Sequence, residues 1–127
     1  MRHDIYQKII ENYIDAYNSF DIDRMLSDMH ENIKFENISN GEVNLTTNGI
    51  DELRNQAEQA KQLFKERKQT ITDIKFNDDR IELKIDYRGV LAVDFSSELK
   101  TGDIIEIKGS SIFRFKDNKV IELKDIS

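Results

Sequence analysis

Apolar residues in the first part of the chain recur at helical spacing. This spacing predicts an amphipathic helix over residues 3–18, with one face turned to a core. Asp21 then suits the N-cap of a second, shorter helix that ends near His30-Glu31-Asn32. The expected buried stripe of the first helix is Ile5, Ile9, Ile10, Tyr13, Ile14 and Tyr17, and that of the second is Ile22, Met25, Leu26 and Met29.

The next segment predicts a strand, a turn and a third helix. Ile33–Ser39 alternates between apolar and polar residues, and Asn40-Gly41 is a turn signal. Val43–Thr47 fits either a short strand or an irregular arm. The third helix is predicted from about Gly49 to Lys65. Its apolar stripe would be Ile50, Leu53, Ala57, Ala60 and Phe64.

After residue 68 the pattern changes to period 2, which predicts antiparallel strands. We expect strands over Gln69–Asn77 and Arg80–Phe95, followed by a hairpin over Asp103–Ser127 with its turn at Lys116–Lys119. The first hairpin strand would direct one row of side chains inward. That row is Ile105, Ile107, Gly109, Ser111, Phe113 and Phe115.

These elements predict the fold class. A chain of 127 residues fits one domain, spanning residues 1–127. The element order is helix, helix, strand, helix and then a four-stranded meander. We therefore expect an α+β fold in which a curved, mostly antiparallel sheet wraps around three helices from the N-terminal half.

Composition excludes several classes of function. The net charge of −6 argues against a nucleic-acid partner, and the basic residues within Lys61–Lys68 fit the solvated end of a helix. No apolar run is long enough for a membrane span, and the N-terminus lacks the apolar segment of a signal peptide. With no cysteine, two scattered histidines and no glycine-rich phosphate loop, we expect no metal and no cofactor. These features favour the cytoplasm.

The order of elements and several local patterns resemble the SnoaL-like branch of the nuclear transport factor 2-like superfamily. Ketosteroid isomerases and polyketide cyclases are relatives of that branch. The resemblance implies a cone-shaped fold with a pocket inside. The matching residues are Tyr13-x-x-Ala16-x-Asn18-x-x-Asp21-x-Asp23, Phe35-Glu36-Asn37, Gly49-Ile50-x-x-Leu53 and Ser111-Ile112-Phe113-Arg114-Phe115-x-Asp117-x-Lys119-Val120-Ile121.

The resemblance also implies which positions would carry ketosteroid isomerase chemistry. That reaction needs a carboxylate base, with a tyrosine and a protonated acid as donors to the oxyanion. The tyrosine position matches Tyr13, the base position matches Asn37, and the acid position falls near Ser111. An amide cannot accept a proton at neutral pH, so Asn37 cannot be a general base. The His and Trp that other members carry on the last strand are replaced by Leu123 and Lys124.

Other candidates for a base are weak in the sequence. His30 fits a helix end or a surface position, and Glu36 alternates away from Asn37. Asp15 lies off the apolar stripe of its helix. Asp125, on the last strand, is the carboxylate whose direction the pattern does not settle.

We therefore expect a pocket that binds a small apolar or aromatic molecule, with the catalytic residue unknown. An isomerase, cyclase or dehydratase with an unidentified base is the alternative, and a dimerisation module with a filled cavity is a third. Tyr13 fits either a pocket wall or a core tyrosine bonded to a backbone carbonyl, and Asn37 fits either a pocket wall or a plain strand end. The expected lining is Tyr13, Tyr17, Phe35, Asn37, Phe64, Tyr87, Ser111 and Phe113.

The outward face of the sheet carries alternating charges. Cross-strand pairing on a solvated face explains this pattern. The family resemblance implies a homodimer through the same face, with Val90, Ala92 and Ile112 as an apolar centre. The charged residues are Glu82, Lys84, Asp86, Arg88, Glu106, Lys108 and Arg114.

Overall fold

The computed structural model describes residues 2–127. Within this range no helix is long and apolar enough to cross a membrane. Three helices and six strands follow each other along the described residues. They are α1 (Arg2–Asn18), α2 (Ile22–Leu26), β1 (Met29–Ser39), β2 (Glu42–Asn48), α3 (Ile50–Lys61), β3 (Phe64–Asn77), β4 (Arg80–Leu91), β5 (Ile104–Lys116) and β6 (Lys119–Ile126).

All six strands belong to one curled, unclosed sheet in the order β2-β1-β6-β5-β4-β3. Every neighbouring pair is antiparallel except β1 and β6, which run parallel. The three helices precede β3 in the chain. This architecture confirms the predicted α+β fold.

Turn chemistry sets the hairpins. Asp117 and Asn118, between β5 and β6, both have positive φ angles of 54° and 59°. Two such residues in a two-residue connection match the twist of the flanking strands, and Asp and Asn tolerate this conformation better than most residues. Asn40 and Gly41 do the same between β1 and β2, with φ of 53° and 80°.

The core lies between α1 and the concave face of the sheet. Tyr6 of α1 stacks on Phe115 of β5 with ring centroids 4.0 Å apart. About two helical turns further along α1, the ring of Tyr13 packs edge to face against that of Phe113, with ring centroids 5.6 Å apart. Because these aromatic pairs join helix to sheet, they fix which residues of α1 face the concave surface.

The C-terminal end of α1 is fastened to β3 by a reciprocal pair of hydrogen bonds. Asn18 Nδ2 donates to the Gln69 carbonyl at 3.2 Å, and the Gln69 backbone amide donates to Asn18 Oδ1 at 2.8 Å. The short helix α2 follows, capped by Asp21, whose side chain accepts from the Arg24 backbone amide at 3.2 Å. The predicted cap at Asp21 is thus present.

Several predicted boundaries were wrong. The third helix ends at Lys61, and Phe64 begins β3, because backbone pairing with β4 starts there, with Phe64 opposite Leu91. The spacing of Phe64 from Ala60 is helical, but it also fits the inward side of a strand. Met29 belongs to β1, although it is buried as expected.

The long strand predicted to reach Phe95 ends at Leu91 instead. Since β3 begins at Phe64, residues after Leu91 have no ladder partner on that side. The Ala92 amide closes the ladder by donating to the Leu63 carbonyl at 2.8 Å, and Phe95 lies in the following loop, with 59% of its surface exposed.

Candidate functional site

A cavity of about 460 Å³ opens between the concave face of the sheet and the helices. This volume is in the range of small-molecule sites. Most of the wall is apolar, and polar groups enter it from α1 and several strands. Seven of the eight predicted residues line it, namely Tyr13, Tyr17, Phe35, Asn37, Phe64, Tyr87 and Ser111.

Phe113, the eighth predicted residue, lies outside this wall. It is fully buried in the core, where its ring supports Tyr13. The alternation of β5 directs both Ser111 and Phe113 inward, but α1 covers Phe113 and leaves Ser111 at the cavity. Truncation of Phe113 would therefore disrupt the core, at a typical cost of about 3–5 kcal/mol, rather than test the pocket.

A polar row crosses three adjacent strands at the cavity wall. Asn37 of β1 is aligned with Asp125 of β6, and Asp125 in turn is aligned with Ser111 of β5. All three residues line the cavity. The two neutral residues that match the family's carboxylate positions thus flank a carboxylate on the strand between them.

Asp125 is the titratable group of this row. Ser111 Oγ donates a hydrogen bond to Asp125 Oδ1 at 2.8 Å. Burial raises the pKa of Asp125 to about 6, although the hydrogen bond from Ser111 opposes that shift by stabilising the charged form. A carboxylate with a pKa near neutral pH is suited to exchanging protons with a ligand.

The inward direction of Asp125 follows from an irregularity in β6. Arg114 is aligned with Glu122, but the next residue, Phe115, is aligned with Val120, so Ile121 is an extra residue in the strand. Such a bulge reverses the side-chain alternation. Val120 and Leu123 are both buried, although they are three residues apart. An alternation counted from Val120 would turn Asp125 outward, whereas an alternation counted from Leu123, beyond the bulge, turns Asp125 inward.

Asn37 is tied to the neighbouring strand rather than to Asp125. Its Nδ2 donates to Asn44 Oδ1 at 2.9 Å. The amide therefore has a fixed partner on β2, and its side chain contributes a polar, uncharged wall to the cavity. Glu36, on the opposite side of the same strand, reaches Lys124 at 4.0 Å, as its alternation predicted.

Three tyrosines, Tyr13 and Tyr17 of α1 and Tyr87 of β4, add hydroxyl groups to the cavity wall. Tyr17 Oη donates to Tyr87 Oη at 3.3 Å. Tyr13 Oη makes no hydrogen bond within residues 2–127, so it does not bond a backbone carbonyl as a core tyrosine would. Burial raises the pKa of all three phenols, and Asp125 raises that of Tyr13 further. They therefore stay protonated at neutral pH and can act as donors.

Arg67 lines the cavity, although the sequence pattern did not indicate it. We expected the basic segment around it to be solvated, but only 5% of Arg67 is exposed and it lines the cavity. Its neighbours Glu66 and Lys68 are exposed, as a strand alternation requires. A strand alternation that begins before residue 69 would have predicted that Arg67 and Gln69 face the same side. The helix predicted up to residue 65 started the strand too late for that.

The described residues contain no group of three histidine, aspartate or glutamate side chains placed to hold a metal ion. The polar side chains that line the cavity comprise one carboxylate, Asp125, one guanidinium, Arg67, and several hydroxyl and amide groups. His30 does not line the cavity, and its Nδ1 accepts from the Asn32 backbone amide at 3.0 Å.

Solved structures share this fold. A candidate SnoaL-like polyketide cyclase from Jannaschia sp. CCS1 superposes with a TM-score of 0.81 at 14% identity, over 95% of this chain and 83% of its own. A candidate polyketide cyclase from Xanthomonas campestris pv. campestris gives 0.80 at 16% identity, over 100% and 93%. A candidate hydroxylase from Streptomyces galilaeus, AclR, gives 0.74 at 18% identity, over 94% and 85%.

No curated protein sequence matches this chain. The model of the SnoaL-like domain family, however, matches residues 10–123. This segment contains the second half of α1, all of α2 and α3, and nearly all of the sheet. Asp125 lies just beyond the matched segment. The match confirms the predicted resemblance, and the chain belongs to the SnoaL-like domain family.

Proposed function

We propose that the cavity binds a small apolar or aromatic molecule and that Asp125 acts on it as an acid–base group, in a cyclase- or isomerase-type reaction. The observation that carries this proposal is the cavity-lining carboxylate of Asp125, held by Ser111 and with a pKa of about 6. It favours the enzyme alternative over simple binding, because a carboxylate of this kind can take up and release a proton at neutral pH.

The proposed step is proton abstraction next to a carbonyl group. The ionised Asp125 takes a proton from the α-carbon, and the electron pair of the broken C–H bond forms an enolate. Tyr13 Oη, which has no partner within the described chain, donates to the enolate oxygen. The proton then returns from Asp125 to carbon, so no co-reactant is consumed.

Isotope exchange tests this step without knowledge of the natural substrate. 2-Tetralone, an apolar aromatic ketone with enolisable protons, is incubated with the protein in D₂O, and deuterium incorporation is followed by NMR. We expect wild type to accelerate exchange and Asp125→Asn to abolish the acceleration. Asp86→Asn, on the exposed outer face, is the matched control and should retain it.

The pH dependence of exchange provides a second test. Since the base form of Asp125 is active, the rate should rise as pH increases through about 6 and then level off. Unchanged exchange in Asp125→Asn would contradict the proposal. Binding of 2-tetralone without any acceleration of exchange would instead support a binding protein without catalysis. That alternative is motivated by the neutral side chains of Asn37 and Ser111 at the family's two carboxylate positions.

The reading as a dimerisation module with a filled cavity is not favoured, because side chains leave about 460 Å³ open. We nevertheless propose a homodimer through the outer sheet face, where Ile112 lies among exposed charges. Light scattering should give twice the mass of 14.9 kDa, and Ile112→Glu should give the monomer. A monomeric wild type at micromolar concentration would contradict this.

The cytoplasm is the compartment that we propose for the protein, because the sequence contains no cysteine that could form a disulfide.

A further inference from the structure

The guanidinium of Arg67 is a buried charge without a counterion. Only 5% of the residue is exposed, and within residues 2–127 it forms no salt bridge with any carboxylate. Its Nε donates to the Tyr17 carbonyl at 2.9 Å, and one terminal nitrogen, Nη2, has only the weak acceptor Met25 Sδ at 3.8 Å. The other terminal nitrogen makes no hydrogen bond to the described protein.

An unpaired charge in this position is costly. Buried charged side chains are normally paired with an opposite charge or with a full set of hydrogen-bond acceptors. The Cζ of Arg67 lies 3.7 Å from the ring centroid of Tyr17 and 4.6 Å from that of Phe20. Stacking on these rings compensates part of the desolvation and fixes the plane of the guanidinium. It does not satisfy the in-plane N–H groups of the fork.

One structural role accounts for part of the arrangement. Tyr17 lies in the last turn of α1, and its carbonyl accepts from the Phe20 backbone amide at 3.2 Å and from the Nε of Arg67 at 2.9 Å, which helps to cap the helix end. This role uses a single N–H. It leaves the terminal nitrogens available on a residue that lines the cavity.

We infer that the cavity selects ligands that combine an apolar body with a carboxylate group, and that Arg67 binds this carboxylate through its terminal nitrogens. The inference rests on the proposed small-molecule cavity and specifies its ligand class. A planar fork of N–H groups matches the two oxygens of a carboxylate, so a paired, bidentate contact is expected.

The position of Asp125 supports a defined orientation of the ligand. Arg67 lies on β3 and Asp125 on β6, and β4 and β5 stand between these two strands in the sheet. The two charged side chains therefore enter the cavity from strands that are not neighbours. The ligand's carboxylate would lie at Arg67, away from the repulsion of Asp125, and the reacting carbon at Asp125.

A matched pair of probes tests the inference. 2-Naphthoate carries a carboxylate, and 2-naphthamide has the same rings and a neutral polar group. Dissociation constants are measured by calorimetry at pH 7.5 and low salt. We expect wild type to bind 2-naphthoate at least about tenfold more tightly than 2-naphthamide, as a charge-assisted hydrogen-bonded pair implies, and added NaCl to weaken only the naphthoate.

Three variants locate the effect. Arg67→Gln should remove the preference and leave 2-naphthamide binding unchanged. Arg67→Lys, which keeps the charge but loses the fork, should retain a reduced preference, and it serves if the glutamine variant does not fold. Arg88→Gln, an exposed arginine on the outer face, should behave as wild type.

The possible failures are distinct. Equal affinity of wild type for both probes, or a preference that survives in Arg67→Gln, would overturn the role of Arg67 while leaving the cavity proposal intact. If neither probe binds at millimolar concentration, both the inference and the proposed small-molecule cavity are contradicted. Loss of preference in Arg88→Gln would show that overall charge, not Arg67, produced it.

Discussion

Ser111 and Asp125 stand opposite each other on adjacent antiparallel strands, joined by a hydrogen bond of 2.8 Å from Ser111 Oγ to Asp125 Oδ1. This bond lowers the pKa of Asp125, while burial raises it by more, to about 6. Ser111→Ala should therefore move the pKa above 6. A ¹³C NMR titration of the Asp125 carboxyl measures the change, with Ser97→Ala in an exposed loop as control. A pKa that falls in Ser111→Ala would contradict this balance.

Ser111→Asp restores the residue type that the family's acid position implies, and it should create a coupled pair of carboxylates. Two like charges at this distance cannot both ionise easily, so the pair should share a proton and its upper apparent pKa should rise well above 6. The same NMR titration should show two steps that belong to the pair. Ser97→Asp, which adds the same charge in a loop, should leave the Asp125 titration unchanged.

Asp125 also makes the stability of the fold depend on pH. Because its pKa is raised from 3.8 to about 6 in the folded state, the folded protein binds the proton more tightly than the unfolded chain does. The stability that the folded state gains from this tighter proton binding is fully present below about pH 4 and is lost as pH rises through 6. The shift corresponds to about 3 kcal/mol, at about 1.4 kcal/mol per pKa unit.

Asp125→Asn removes this titration. Relative to wild type, the variant should therefore gain up to about 3 kcal/mol in unfolding free energy between pH 3.5 and pH 8. Urea unfolding at both pH values measures the gain, and Asp86→Asn controls for the loss of one negative charge. A difference between wild type and Asp125→Asn that is independent of pH would contradict the raised pKa.

Tyr13→Phe should separate catalysis from stability. The Tyr13 hydroxyl has no hydrogen-bond partner within residues 2–127, so its removal should change the unfolding free energy by no more than about 0.5 kcal/mol. Loss of the donor to the enolate oxygen should, however, slow 2-tetralone exchange by about 100-fold or more. Tyr6→Phe, in a buried tyrosine of the same helix that stacks on Phe115, is the control and should leave exchange unchanged.

Gly109 should tolerate no side chain. A Cβ placed there would lie 2.6 Å from the Ile126 carbonyl oxygen, a backbone atom of β6 that cannot move alone. Gly109→Ala should therefore destabilise the fold by about 1–3 kcal/mol, as overpacking typically does. A Cβ at Gly89 would instead meet the Phe64 ring at 2.8 Å.

Because the Phe64 ring can turn into the cavity, Gly89→Ala should lose less stability than Gly109→Ala but weaken 2-tetralone binding. Thermal unfolding and calorimetry on both variants measure the two effects. Equal loss of stability in the two variants would contradict the distinction between a backbone contact and a side-chain contact.

Local patterns in the sequence were sufficient for the fold class. The helical stripe of α1, the N-cap at Asp21 and the turn at Asp117-Asn118 each depend on residues close together in the chain. Their order, together with the period-2 pattern of the C-terminal half, predicted the α+β sheet. The resemblance to the SnoaL-like branch, rather than the pattern, implied that Tyr13, Asn37 and Ser111 belong to one pocket, and all three line the cavity.

Tertiary pairing decided the groups that carry chemistry. The bulge at Ile121 reverses the alternation of β6 and turns Asp125 inward, and it exists only in relation to β5. Likewise, pairing with β4 from Phe64 onward makes a strand of a segment partly assigned to a helix and buries Arg67. The sequence by itself determined the fold and the neutral members of the site. Only the tertiary structure determined the two charged members, because the direction of a side chain depends on its strand's register, and the pKa of Asp125 depends on its burial.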